Sequence, residues 1–179
     1  MERSVIIAGF GGQGVLLAGK ILTQAGMNHG LEVTWLPSYG PEMRGGTANC
    51  TVVMSDDPVG SPIVDEPSAL IAMNRPSLDK FEPIVAEGGT IIVNESLINR
   101  QVERGDLDVH YVPINDIALR VGNARTLNMV ALGSYLKATH AVPLDVVKAT
   151  MAKMLEESGK AKLVDVNERA MEEGYNASG

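Results

Sequence analysis

"SVIIAGFGGQGVLLAGKIL", residues 4–22, reads as a strand, a glycine-rich turn and a helix, the opening unit of an α/β chain. From Ser4 a short β-branched apolar run stops at glycine, which reads as a buried strand. Apolar residues at helical spacing come next, with Leu16, Leu17, Ile21 and Ala25 placed on one face and Gly30 as the stop. The junction, "GFGGQG" from Gly9 to Gly14, fits G-x-G-x-x-G through Gly9, Gly11 and Gly14. Glycines there allow positive φ and close backbone approach, and the helix N-terminus offers unpaired N–H groups to an anion. An anion so placed gains about 0.3–1 kcal/mol, and up to about 2 in a sheltered site. Two readings of the junction stand side by side, a phosphate cradle and a plain strand-to-helix turn. Gln13 either caps the helix or touches a ligand.

Outward from this unit, strands and helices alternate. "EVTWLP" from Glu32, "ANCTVVMS" over 48–55, "SALIAM" from Ser68, "GGTIIVN" from Gly88 and "DVHYVP" from Asp108 read as strands. Pro76 opens a helix that points Leu78, Phe81 and Ile84 inward, and "INDIALRVG" is a short helical piece. From Asn123 the texture is helical. An Asn cap starts a helix that is apolar nearly all round and therefore buried, with His140 near its C-terminal end. Two amphipathic helices complete the chain, one carrying Leu144, Val147, Met151 and Met154, the other Leu163, Val166 and Ala170. The pattern predicts an α/β fold over 1–179 as a single Rossmann-like domain. Its sheet is mostly parallel, one strand pair (Glu32 to Ser55) is irregular because no helix joins it, and helices over 123–175 cover the sheet.

Composition narrows the function classes. The 179 residues are 45% hydrophobic and 21% charged, which is ordinary for a globular protein. A net charge of −7 with no basic cluster argues against nucleic acid. No apolar run reaches membrane-spanning length and no secretory leader precedes the first strand, so a cytoplasmic protein is expected. The single cysteine, Cys50, permits no internal disulfide and too few thiolates for an iron–sulfur cluster. It falls in a strand, where a buried inert thiol is expected. The three histidines, His29, His110 and His140, are far apart and begin no ligand motif. No catalytic residue and no metal ligand is assigned.

A nicotinamide site would need an acid about 20 residues beyond the glycines, at the carboxyl end of the second strand. That strand ends "TWLP", and Glu32 stands at its beginning. From its last residue runs "PSYGPEMRGGTANC", residues 37–50, with three glycines, two prolines, one acid and one base. The carboxyl edge of an open α/β sheet is where ligands bind. Arg44 suits a phosphate or carboxylate because its fork donates two parallel hydrogen bonds, and Glu42 is placed to orient it. The bland alternative is a surface ion pair worth at most about 1 kcal/mol. The candidate ligand-binding set is Gly9, Gly11, Gly12, Gln13 and Gly14, with Ser38, Glu42, Arg44, Gly45 and Gly46.

"GFGGQGVLLAGKIL", "PSYGPEMRGGTANCTVVMSDDPVGSPIV", "AMNRPSLDKF" and "RTLNMVALGSYL", in this order, resemble the gamma subunit of 2-oxoacid:ferredoxin oxidoreductases over nearly the whole chain. The short length and the "SYGPEMRGGTANC" form are most similar to the 2-oxoglutarate type, and the branched-chain type is close. The resemblance implies a non-autonomous subunit of an enzyme that oxidatively decarboxylates a 2-oxoacid to an acyl-CoA and passes electrons to ferredoxin. It implies alpha and beta partner subunits, and in some cases a ferredoxin-like delta. Thiamine diphosphate and the iron–sulfur clusters are then carried by the partners, and this chain helps bind coenzyme A and braces the assembly. Two other readings of the residues remain: a free-standing oxidoreductase that binds NAD(P) or flavin, and a regulatory nucleotide-binding module.

Overall fold

The computed structural model describes residues 1–38 and 47–178. In chain order the elements are β1 (Glu2–Phe10), α1 (Val15–Asn28), β2 (Glu32–Ser38), β3 (Thr47–Ser55), β4 (Ala69–Ala72), α2 (Arg75–Phe81), β5 (Thr90–Asn94), β6 (Asp108–Val112), α3 (Ile114–Val121), α4 (Leu127–Thr139), α5 (Leu144–Glu157) and α6 (Val164–Ala177). The strands form one six-stranded sheet in the order β2-β3-β1-β4-β5-β6. Strands β1, β4, β5 and β6 are mutually parallel. Strand β3 runs antiparallel to both β1 and β2, so β2 points the same way as β1. The expected mostly parallel α/β sheet is thus present, and the irregular pair is the β2–β3 hairpin. After α1 the chain skips one sheet position to form β2, and β3 then returns into the gap beside β1.

Both faces of the sheet are covered, which is why β1 reads as an unbroken apolar run rather than an alternating one. Val5 and Ile7 of β1, with Cys50, Val52 and Ile71 from its neighbours, face the larger core under α1 and the C-terminal helices. Ile6 and Ala8 face the opposite core, closed by Leu78 and Phe81 of α2. Each fully buried large aliphatic side chain contributes roughly 1.5–3 kcal/mol. Among the described residues, no helix is long and apolar enough to cross a membrane.

In the first half of the chain, two side-chain placements from the sequence are corrected. Leu17 is 43% exposed, and α1 instead buries Val15, Ala18, Ile21, Leu22 and Ala25. The small residues set the near face. Gly19 lies against the Cys50 thiol, with the Trp35 indole nitrogen 2.9 Å from where a Cβ would stand. Ile84 is 38% exposed because the chain tightens into a 3-10 turn at Glu82–Ile84, which turns Val85 inward instead. Glu82 is buried with it, and its carboxylate accepts the backbone N–H groups of Glu103 (2.7 Å) and Arg104 (3.1 Å) while pairing with Arg100 at 2.8 Å.

Among the C-terminal helices, α4 and α5 agree with the sequence pattern. Of Leu163, Val166 and Ala170, expected inward on the last helix, only Ala170 is buried, because Leu163 falls in the 3-10 turn before α6 and the helix turns Met171 and Gly174 inward with Ala170. Asn123 accepts the Arg125 backbone N–H at 2.9 Å and caps the 3-10 turn that leads into α4. Residues Asn128 to Leu136 of α4 are all buried. His140 ends that helix in the left-handed region (φ 52°), its N–H donating to the Leu136 carbonyl at 2.8 Å.

Candidate functional site at the carboxyl edge

The glycine loop turns between β1 and α1 with Gly12 at φ 92° and Gly14 at φ 73°, conformations that disfavour any side chain. Gln13 closes the turn on itself. Its backbone N–H donates to the Phe10 carbonyl at 3.1 Å, and its side-chain Oε1 accepts the Phe10 N–H at 2.6 Å. The same Oε1 lies 2.5 Å from where a Cβ on Gly9 would stand, and Met73 lies 2.9 Å away. Gly9 is therefore buried beneath Gln13 and needed for packing, while Gly11 and Gly12 lie at the tip, Gly11 exposed to solvent. Nothing lies within 4 Å of a Cβ position on Gly12. Gly14 is the N-cap of α1 and provides no side-chain cap, so the first-turn N–H groups of a 14-residue helix have no intrahelical acceptor.

Three asparagines fix this edge, and the sequence pattern assigned none of them to it. Asn128, in the first turn of α4, donates through Nδ2 to the Gly14 carbonyl at 3.2 Å and accepts the Met129 N–H at 3.0 Å. Asn94, fully buried at the end of β5, donates to the Met73 carbonyl (3.0 Å) and to Asn115 Oδ1 (2.7 Å) and accepts the Ile114 N–H at 3.2 Å. It thereby ties the ends of β4, β5 and β6 together. Asn74 caps α2 by accepting the Ser77 N–H at 2.9 Å. A clue existed for Asn128, because asparagine is a poor residue inside a helix and its presence there needs a partner.

The sheet register brings the rest of the candidate set to the same edge. Phe10 pairs with Thr47, and Ala8 pairs with Asn49, which pairs in turn with Ser38. Both ends of the glycine-rich connection between β2 and β3 therefore leave the sheet beside the glycine loop. Ser38 is exposed there. Glu42, Arg44, Gly45 and Gly46 lie outside the described residues. Glu32 pairs with Ser55 at the opposite edge, as far along β2 from the glycines as the strand allows. The acid that a ribose would need at Ser38's end is thus not supplied by Glu32. The four sequence segments that carry the family resemblance converge here, through Gly9–Gly14, Ser38 and Thr47, Met73–Asn74, and Asn128.

A cavity of about 240 Å³ opens under the loop, bounded by Phe10, Gly12, Val15, Leu17 and Ala48. Its walls are apolar side chains and its polar groups are backbone, an arrangement that can hold a ligand's anionic group at the helix end and its apolar part below. Cys50, behind it, is no nucleophile. Burial pushes its thiol up to about 12, and its Sγ faces the Val15 carbonyl at 3.5 Å. Among the described residues, no group of three or more His, Cys, Asp or Glu side chains converges in a way that could hold a metal ion.

Comparison with known proteins gives the context for this geometry. Residues 4–177 match the family model described as pyruvate ferredoxin/flavodoxin oxidoreductase. The ketoisovalerate oxidoreductase subunit VorA of Methanothermobacter thermautotrophicus is 43% identical over 173 residues, covering 97% of this chain and 36% of VorA. The 2-oxoglutarate synthase subunit KorC of Methanocaldococcus jannaschii is 32% identical over 181 residues, covering 99% of this chain and 95% of KorC. Among solved structures, the gamma subunit of a keto/oxoacid ferredoxin oxidoreductase from Geobacter sulfurreducens superposes with a TM-score of 0.85 at 28% identity, covering 98% of each chain. The chain spans about a third of the length of the ketoisovalerate relatives it matches (36% in each of two) but nearly all of KorC.

Proposed function

The chain belongs to the pyruvate ferredoxin/flavodoxin oxidoreductase family, and from that premise we propose that it is the gamma subunit of a 2-oxoacid:ferredoxin oxidoreductase. The enzyme would convert a 2-oxoacid and coenzyme A into acyl-CoA and carbon dioxide, passing two electrons to ferredoxin. Thiamine diphosphate, the iron–sulfur clusters and the pocket for the acid's side chain belong to alpha and beta partners, with a ferredoxin-like delta where one is present. This chain contributes a coenzyme A contact and braces the catalytic subunits.

The observation that carries the reading is the difference in coverage. The same unit is a third of the VorA chain and almost the whole of KorC. A unit found both joined to a larger chain and free of it works beside what that larger chain contains. The chemistry agrees. One cysteine cannot hold a cluster, and among the described residues no activated nucleophile or acid–base pair is assembled at the carboxyl edge. What the edge offers is a backbone cradle at a helix N-terminus above an apolar cavity, suited to a phosphate and the arm attached to it. We assign the coenzyme A contact to Gly11, Gly12 and the first turn of α1, with Ser38, Glu42, Arg44, Gly45 and Gly46 on the adjoining connection. Gly9, Gln13 and Gly14 shape the turn.

The test is reconstitution. The purified chain should be inactive with 2-oxoacid, coenzyme A and a dye acceptor, and it should co-purify with co-expressed alpha and beta chains to give an active complex. In that complex Gly12→Val should raise the KM for coenzyme A more than the KM for the 2-oxoacid. An unchanged KM for coenzyme A in a normally assembled complex would reduce the loop to a turn. Failure to bind alpha or beta would overturn the subunit assignment itself.

A further inference from the structure

A second cavity, of about 270 Å³, lies between α1, α5 and the start of α4, beyond Leu17 from the glycine loop. Its floor is apolar, formed by Ile21, Met129, Met151 and Leu155. Its mouth is basic, with Arg125 on the turn before α4 and Lys160 on the turn after α5. Neither cation has a carboxylate within 4.0 Å among the described residues. No Asp or Glu lines the cavity among the described residues, although the chain as a whole carries a net charge of −7. Two cations over an apolar hollow, on an acidic protein, make a local inversion of charge that neither α/β packing nor the coenzyme A reading requires.

We propose that this cavity is a binding site for a small anionic amphiphile, a carboxylate on an aliphatic body. The volume is near the lower end for small-molecule pockets, about 300 Å³, which fits a medium-length acyl chain. The aliphatic body lies on the two methionines, whose flexible thioethers adapt to an irregular ligand. The carboxylate meets the Arg125 fork and the Lys160 ammonium at the mouth. Asn128 lines the same cavity and holds the Gly14 carbonyl at 3.2 Å, so this one side chain stands between the cavity and the glycine loop. The site is independent of the coenzyme A contact and stands or falls without it.

The experiment is a titration of the full chain, labelled at methionine methyls, with octanoate. Saturable shifts are expected at Met129 and Met151, with Met54 and Met73 as internal references outside the cavity. The Arg125→Gln/Lys160→Gln double variant should fold normally and bind octanoate roughly tenfold more weakly or worse, since each charge-assisted contact is strong. Octanol should bind much less tightly than octanoate. The proposal is overturned by the absence of saturable shifts at millimolar octanoate, by equal binding of octanol, or by an unchanged affinity in the double variant. Displacement of octanoate by coenzyme A would make the cavity part of the coenzyme site and overturn its independence. Loss of octanoate binding on assembly with alpha and beta would make it a socket for a partner side chain, and the ligand assignment would fall.

Discussion

At the residue scale, Gly14 and Gly12 are glycine for different reasons. A Cβ on Gly14 would stand 2.5 Å from Asn128 Nδ2, and the residue also needs φ 73°, whereas Gly12 needs only its φ of 92°. Gly12→Ala should therefore cost the left-handed strain alone, about 1–2 kcal/mol, which lowers Tm by roughly 2–4 °C per kcal/mol in a chain of this size. Gly14→Ala should cost clearly more. Asn128→Ala removes the obstructing amide and one of the two donors to the Gly14 carbonyl, which keeps the Ala18 N–H at 3.0 Å, so it should cost about 0.5–1.5 kcal/mol. The two changes touch each other, so the Gly14→Ala/Asn128→Ala double variant should be less destabilised than the sum of the singles. Simple additivity in urea melts would sink the contact. Cys50 supplies a separate check. With its thiol raised from the ordinary 9.0 to about 12, roughly one molecule in ten thousand is thiolate at pH 8, and the thiolate is the reactive form. A disulfide reagent should leave Cys50 unmodified in the native chain and titrate one thiol in denaturant. Rapid stoichiometric labelling of the native chain would show that the thiol is not sealed. Gly9 and Cys50 were both visible in the sequence, but only Cys50's role was. That Gly9 serves packing depends on Gln13 folding back over it, a contact set by the turn and not by the motif.

At the level of elements, helices α4 and α6 pack backbone against backbone. A Cβ on Gly133 would collide with the Met171 carbonyl oxygen, and one on Gly174 with the Val130 carbonyl oxygen. Ser134 donates to the Gly174 carbonyl at 2.9 Å across the same contact. The two glycines let the helix backbones meet directly, and backbone cannot move aside as a flexible side chain can. Gly133→Ala or Gly174→Ala should each cost ~3 kcal/mol, the upper end for overpacking, although alanine is the better helix former. By contrast, Gly159→Ala has open space around it and only φ 77° to satisfy, so it should cost about 1–2 kcal/mol. Chemical denaturation of the three variants decides the matter, and equal losses would mean that the helices can separate without penalty. Helix existence was readable from periodicity in α1, α5 and α6, from an all-round apolar run after an Asn cap in α4, and from the opening Pro76 in α2. Helix facing was not readable where small residues governed the approach, as at Ala18 and Gly19 of α1, because periodicity is marked by large apolar residues and small ones leave no such mark.

At the scale of the molecule, the fold places four separated sequence segments on one edge of the sheet and assembles no reaction centre among the described residues. The isolated chain should therefore be colourless and silent toward 2-oxoacids, and activity should appear only with alpha and beta present. A visible absorption band with stoichiometric iron, or dye reduction by this chain alone, would contradict that. The α/β class, the strand–glycine–helix unit, the burial of α4 and the lack of thiolates for a cluster are all legible in the amino-acid order alone. Each of these depends on local pattern or on residue count, which folding does not alter. The tertiary structure decided the rest. The position of β3 between β2 and β1, the asparagines that brace the edge, the covering of Gly9 and the basic mouth over the second cavity all join residues far apart in the chain or bent back on one another. Asn128 meets Gly14 across 114 positions, and contacts at that separation are set by how the helices close over the sheet, which no local spacing records.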